Sequence, residues 1–344
     1  MNSTLRWLTA YNASIVDDQM REYIDFTSGI FAANIGHNNP AVLDAVTGAL
    51  QHFGPHCYTY GLALRDRYVE RLKEWTGFEA VHLFTTGSEA VEAAMRIASL
   101  MGFGPDDFFA LPETFHGKTW GPREIAVRTD FWDFYEADCL LMEGYRGWDA
   151  NFWTDDQIDS VKQAGVLIVD EVQSGFGRTG KRFAYKHYDD LHPDMMVIGK
   201  GMGNGFPVSA ICCNGKAAET LESWRDEFSS THGGNPVACA AGLAVLDYFE
   251  KEGVMRQAEE KGHILHEWLE VVCPLVHQGV GMVAAVLTET TEQATMIVER
   301  CRDRGLLLVH TNKASVKLGP PLTIAVERLV DGVKILGEVI REVT

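Results

Sequence analysis

Val166-Leu167-Ile168-Val169-Asp170 and, thirty residues later, Met195-Met196-Val197-Ile198-Gly199-Lys200 are the stretches on which the fold turns. Each is a short, wholly apolar run that ends on a polar segment carrying a single charge. Such runs read as strands buried on both faces. Five more apolar segments recur around them: Val81 to Phe84, Phe108 to Leu111, Glu124 to Val127, Cys139 to Met142 and Val208 to Cys212. Several alternate with helix-like stretches, so the expectation is an α/β fold whose large domain holds a mostly parallel, seven-stranded sheet flanked by helices. Ligands of such sheets gather outside the carboxyl ends of the strands. Here those ends carry Thr85-Thr86-Gly87-Ser88, Phe115-His116-Gly117, Glu143, Asp170 and Lys200.

Lys200 follows an apolar run and opens the small-residue turn Gly199-Lys200-Gly201-Met202-Gly203-Asn204-Gly205, a setting in which an amine is easily buried and neutralised. A buried amine beside a buried carboxylate suits a pyridoxal phosphate site, with Lys200 as the Schiff-base lysine and Asp170 holding the pyridine nitrogen protonated. The competing reading is an ordinary solvated lysine. Gly87 and Ser88 open a helix, where free N–H groups and the helix dipole favour a phosphate; the plainer reading makes Ser88 a cap. Phe115 is a candidate to stack on a flat ring, against the commoner role of core phenylalanine.

Gly175-Phe176-Gly177-Arg178-Thr179-Gly180-Lys181-Arg182 matches two nucleotide-binding glycine patterns, but Arg182 stands where a P-loop needs Ser or Thr, and no amphipathic helix follows. The His52/His56 and His263/His266 pairs lack a third ligand, so no metal is assigned. A formal net charge of −18, from 48 acidic and 30 basic residues, disfavours nucleic acid and anionic membranes as partners. The 344 residues contain no apolar stretch long enough to span a bilayer, and seven cysteines without a C-x-x-C spacing fit a reducing cytoplasm. Asn235-Pro236 reads as an N-cap and first helical residue, Gly253 as that helix's end, and the last 90 or so residues as a small α/β domain.

Three motifs, Asp170 to Gly180, Gly199 to Pro207 and Thr231-His232-Gly233-Gly234-Asn235-Pro236, together with Gly36-His37-Asn38-Asn39-Pro40 and Pro320-Pro321-Leu322, resemble class III (omega) pyridoxal-phosphate-dependent aminotransferases of fold type I. The resemblance runs over most of the chain. It implies residues 1–45 as a segment contributing to the small domain and the active-site entrance, 46–250 as the large cofactor-binding domain and 251–344 as the small domain. It further implies Lys200 and Asp170 as the catalytic pair, Val172 and Phe115 on the two ring faces, and Gln173 bonded to the ring's phenolic oxygen. Gly87 and Ser88 would hold the phosphate, with His116 and Glu143 also at the cofactor. Thr231 would reach the phosphate of the neighbouring subunit, so the site would be shared within a homodimer. The glycines of 175–180 become a structural loop. The implied substrates are an amine donor and a keto acid, processed by a ping-pong cycle.

Departures from the family pattern concern substrate. Related ornithine and 4-aminobutyrate enzymes place proline after the strand-end glutamate, then a second acid that pairs with an arginine before the Pro-Pro pair. Here Gly144, Trp148 and Lys317 occupy those positions. Lysine lacks the bidentate fork of arginine. Phe31, Trp148, Arg146 and Lys317 are the candidate substrate residues, and the interval from Gly117 to Glu143 is short for the family. Relaxed use of hydrophobic primary amines is the expectation. An aminomutase or amino-acid decarboxylase on the same fold, and a non-catalytic nucleotide- or pyridoxal-phosphate-binding protein, are the alternatives.

Overall fold

A computed structural model describes residues 5–53, 61–125, 135 and 138–344. Its central sheet has six strands, in the spatial order Ala80–Phe84, Ser209–Cys213, Met195–Ile198, Val166–Asp170, Cys139–Glu143 and Phe108–Ala110. Ser209–Cys213 alone runs against its neighbours; the other pairings are parallel. Alternate residues enter two separate cores: Leu140, Met142, Leu167, Val169, Met196 and Ile198 on one face, Cys139, Leu141, Val166, Ile168, Met195 and Val197 on the other. Helices Ala63–Thr76 and Pro236–Glu252 cover the first face, Gly87–Leu100 and Gly215–Ser223 the second. Burial on both faces is why these strands are apolar without alternation. Each such side chain contributes roughly 1.5–3 kcal/mol.

Six of the expected seven strands lie among the described residues. Glu124 and Ile125 belong to the helix Trp120–Ile125, which buries Pro122 and Ile125, three positions apart on one helical face. Residues 126 and 127, the rest of that segment, lie outside the described residues, as does His56.

The helix Pro236–Glu252 starts where Asn235 Oδ1 accepts from the Ala238 N–H at 2.9 Å, and ends at Gly253 in the left-handed region, φ 62°. The next helix, Val254–Val272, leads to an antiparallel sheet of His277–Gln278, Ala284–Leu287, Ser315–Leu318 and Val309–His310. The last helix, Val326–Val343, buries Leu329, Val333, Leu336 and Ile340, as their spacing predicts. The amino-terminal strands Trp7–Tyr11, Ser14–Asp17 and Glu22–Asp25 form a third sheet, which Leu306–Leu307 joins in parallel with Glu22–Asp25.

Arg178 ties these parts together. It is fully buried and donates to the carbonyls of Met282 (2.9 Å) and Pro320 (2.6 Å), to Ser28 Oγ (3.1 Å) and to Asn34 Oδ1 (2.8 Å). The Gly175–Gly180 loop therefore acts as a structural clasp. What it clasps includes a left-handed turn, Ser28–Phe31, with φ of 42°, 62°, 61° and 64°. Each non-glycine residue in that conformation costs about 1–2 kcal/mol. Further bonds hold it: Ser28 Oγ donates to the Gly319 carbonyl at 2.7 Å, and Asp25 Oδ1 accepts from the Thr27 N–H at 2.8 Å.

Among the described residues no helix is long and apolar enough to cross a membrane. Six cysteines, Cys139, Cys212, Cys213, Cys239, Cys273 and Cys301, are free and buried.

Candidate active site

The strand register sets the site. Glu143 and Asp170, at the carboxyl ends of neighbouring parallel strands, lie directly opposite each other, and Asp170 lies opposite Val197, three residues before Lys200. Loops from the same edge complete a cavity of about 330 Å³ lined by Thr85, Thr86, Gly87, Ser88, Phe115, His116, Gly117, Glu143, Asp170, Val172, Gln173 and Lys200, with Ala32, Val91 and residues 205–208 along the rest of its wall. Nine of the predicted cofactor contacts thus meet around one space.

Asp170 is held at both oxygens. Oδ1 accepts from the Val172 N–H at 3.0 Å, and Oδ2 lies 3.0 Å from His116 Nδ1. Glu143 Oε2 accepts from the N–H groups of Gly147 (2.9 Å) and Phe115 (3.3 Å). Burial pushes the Glu143 carboxyl up to about 7, and the Asp170 charge adds to the rise against the pull of His116. Burial also lowers the Lys200 ammonium, outweighing attraction from Asp170 and Glu143. Lys200 itself has a left-handed backbone, φ 44°, uncommon for a residue with a side chain and often found at functional sites.

The helix Gly87–Leu100 is capped by Thr86, whose hydroxyl accepts from the Glu89 N–H at 3.2 Å while the Glu89 carboxylate accepts from the Thr86 N–H at 2.9 Å. Ser88 is therefore not the cap. Its hydroxyl and the first N–H groups of the helix line the cavity. Gly117 has φ 122°, and a Cβ there would stand 2.6 Å from Ser88 Oγ. Only glycine lets the Phe115-His116-Gly117 loop pass so close to the helix start. Phe115 is 55% exposed, its ring on the cavity rim.

The candidate substrate residues lie behind or beside this cavity. Arg146 grips the Asp149 carboxylate, through Nε at 2.9 Å, and reaches Glu113 at 3.4 Å. Trp148 is half-buried, with the Arg146 guanidinium 5.2 Å and the Lys313 ammonium 4.6 Å from its ring. Phe31 is buried, 4.6 Å from Lys317 Nζ. Lys317 donates to Gln173 Oε1 at 2.7 Å and to the Gly147 carbonyl. Thr231 is exposed and stands apart from the cavity wall. Sequence reasoning missed Thr114 and Tyr145, which support His116 and Gln173; a lone polar residue in a loop carries no periodic signal to find it by. It also left out Phe206 to Val208, although the glycine-rich run before them marks a turn at the strand end.

These residues fit pyridoxal phosphate. Backbone N–H groups and a hydroxyl at a helix start suit the phosphate, a fixed carboxylate suits the pyridinium, an amide suits the ring oxygen, and a desolvated amine suits the aldehyde carbon. Fold and site together define a pyridoxal-phosphate enzyme of fold type I. An acetylornithine aminotransferase from Nitrosomonas europaea is 30% identical over 352 residues, covering 90% of this chain and 88% of its own. An acetylornithine aminotransferase from Elizabethkingia anophelis superposes with a TM-score of 0.86 at 25% identity, covering 98% of this chain and 94% of its own. The ornithine aminotransferase of Toxoplasma gondii, solved with partial occupancy of pyridoxal phosphate at its active site, superposes at 0.89 with 23% identity, covering 99% and 91%. The chain belongs to the class-III aminotransferases, whose family pattern matches residues 3–127 and 157–340. It is a transferase that uses pyridoxal phosphate to move an amino group between an amine donor and a keto acid.

Proposed function

We propose that the donor is a primary amine or ω-amino acid whose reacting carbon bears no carboxylate, and that the acceptor is a keto acid such as pyruvate or 2-oxoglutarate. One observation carries the donor half of this reading: among the described residues lining the cavity, Lys200 is the only lysine or arginine, while the keto-acid half rests on the family. Lys317, at the position of the related enzymes' arginine, is turned to Gln173, and Arg146 is engaged by Asp149 and Glu113. The wall instead presents Ala32, Val91, Phe206 and Val208.

When bound, pyridoxal phosphate supplies an electron-withdrawing ring that weakens the C–H bond beside the donor nitrogen. Lys200, whose charge burial disfavours, accepts that proton at Nζ and returns it. Asp170, held by His116 and the Val172 N–H, is the carboxylate that would pair with the ring nitrogen. Gly87 and Ser88 hold the phosphate, and Val172 and Phe115 exclude water from the ring faces.

The relatives, acetylornithine aminotransferases, favour a narrower second reading within that donor class, in which acetylornithine alone is the donor. Single donors added to cofactor-loaded protein without acceptor separate the two, with the visible absorption followed. Conversion by 1-phenylethylamine supports the relaxed amine pocket; conversion by acetylornithine alone removes it.

The active unit is a homodimer in which each Thr231 serves the partner's phosphate site, a reading supported by its exposure and distance from its own cavity wall. Sedimentation of wild type, and recovered activity on mixing Lys200→Ala with Thr231→Ala protomers, test it. A cytoplasmic setting suits the six free, buried cysteines, and fractionation of the source cells checks it.

A further inference from the structure

Gln173 reaches the cavity with its amide orientation decided by what lies behind it. Lys317, on the strand Ser315–Leu318, is 3% exposed, and its ammonium donates to Gln173 Oε1 at 2.7 Å. The Tyr145 hydroxyl donates to the same oxygen at 3.2 Å. Charged or neutral, the amine keeps N–H groups for the Gly147 carbonyl and Gln173 Oε1, and Tyr145 donates to that same oxygen, so the amide atom facing Lys317 is the oxygen and the NH₂ group is turned away. Lys317 itself does not line the cavity. The charged groups around it are Glu143 at the end of its strand, Asp149 in the loop beyond, Arg178 of the clasp loop and Lys200. The Phe31 ring closes the remaining side.

We propose that Lys317 is a positioning residue: by fixing Gln173 Oε1 it makes Gln173 an obligate N–H donor to the ring oxygen of pyridoxal phosphate, without touching cofactor or substrate. This rests on the reading of the cavity as the cofactor site and deepens it. An unrestrained glutamine amide can present either end, and its oxygen would repel an anionic ring oxygen. Locked by Lys317 and Tyr145, the amide presents only N–H. An N–H donor stabilises negative charge on that oxygen, so the loaded site gives up its proton at lower pH. The same bonds direct Lys317 Nζ to Gly147 and Gln173, which leaves it poorly placed as a clamp for a substrate carboxylate.

The test is a pH titration of the visible absorption band of pyridoxal-phosphate-loaded wild type, Lys317→Met, Gln173→Ala and the double variant. Each single variant is expected to raise the midpoint by about one to two pH units, the size of a charge-assisted hydrogen bond. The double variant should move no further than Gln173→Ala alone. An unmoved Lys317→Met midpoint overturns the proposal. So does a Lys317→Met shift that persists undiminished in the Gln173→Ala background, since Lys317 would then act through its own charge. Lys317→Arg, which keeps a donor at the position, should hold the wild-type midpoint, and a shift as large as that of Gln173→Ala also counts against the proposal; this arm stands if Lys317→Met does not fold. Absence of any visible band in loaded wild type defeats the cofactor reading itself, a different outcome from a band that ignores Lys317.

Discussion

His116 Nδ1 lies 3.0 Å from Asp170 Oδ2, with both side chains buried. The other ring nitrogen, Nε2, is 3.0 Å from Thr114 Oγ1, and that hydroxyl spends its single proton on the Leu111 carbonyl at 2.6 Å. The imidazole is thus held at both ring nitrogens, between Thr114 and Asp170.

His116→Ala leaves Asp170 Oδ2 buried without its partner. Breaking a buried pair in this way costs about 3 kcal/mol or more. Urea unfolding should show that loss, and cofactor affinity, measured by equilibrium dialysis, should fall at least about tenfold because Asp170 then lacks the bond that fixes Oδ2. Wild-type stability together with wild-type affinity would refute the role given to the pair.

Lys200→Ala removes the proposed base and attachment point together. Amine turnover should drop by at least about 10²–10⁴-fold, and the visible band of the lysine-linked cofactor should vanish. Thermal unfolding should change little, because the lost group is a desolvated amine on a cavity wall. Retained turnover in a stopped-flow assay would contradict the assignment.

Gly117→Ala places a Cβ 2.6 Å from Ser88 Oγ on a backbone at φ 122°. The strain costs on the order of 1–3 kcal/mol, and relief requires moving Ser88 off the phosphate position. The expected outcome is weaker cofactor binding in dialysis and a lower melting temperature. Wild-type binding would mean that Ser88 does not hold the phosphate.

Burial pushes the Lys317 ammonium from 10.5 down to about 7, against the attraction of Glu143. Between those values the unfolded chain binds more protons than the folded one, so this group makes stability rise with pH from about 7 to about 10.5. Glu143, raised from 4.5 to about 7, acts in the opposite sense at lower pH, with stability falling as pH climbs through that window. In cofactor-free protein, stability of Lys317→Met relative to wild type should decline by on the order of 1–2 kcal/mol between about pH 7.5 and 9. Parallel urea midpoints for the two proteins across that range would rule this out.

Much of the central sheet was legible because strands covered on both faces must be apolar throughout, and Val166–Asp170 and Met195–Ile198 are. Glu124 and Ile125 misled because a four-residue apolar segment has the same composition in a short helix as in a strand; the burial of Pro122 with Ile125 decides between them. The Ser28–Phe31 turn left no trace of its handedness, since its left-handed backbone is imposed by Asp25, Arg178 and the Gly319 carbonyl, all distant in sequence or hidden by the fold.

The candidate cofactor residues were readable in the chain for a related reason: each follows its own strand, and parallel strands in one sheet deliver their ends to one edge. Lys200, Asp170, Glu143 and Ser88 needed no knowledge of long-range packing to be grouped. The partners of Gln173 did. Lys317 lies 144 positions from Gln173 and Arg178 lies 150 from Ser28, separations at which no local pattern constrains which groups meet. By itself the sequence determined the sheet, its polar edge and the chemistry gathered there, because these follow from local hydrophobicity and strand direction. Only the tertiary structure decided that Lys317 turns to Gln173, that Arg146 is taken by Asp149, and that among the described residues the cavity wall has one lysine and no arginine. Side-chain pairing across elements is settled by packing and desolvation in three dimensions.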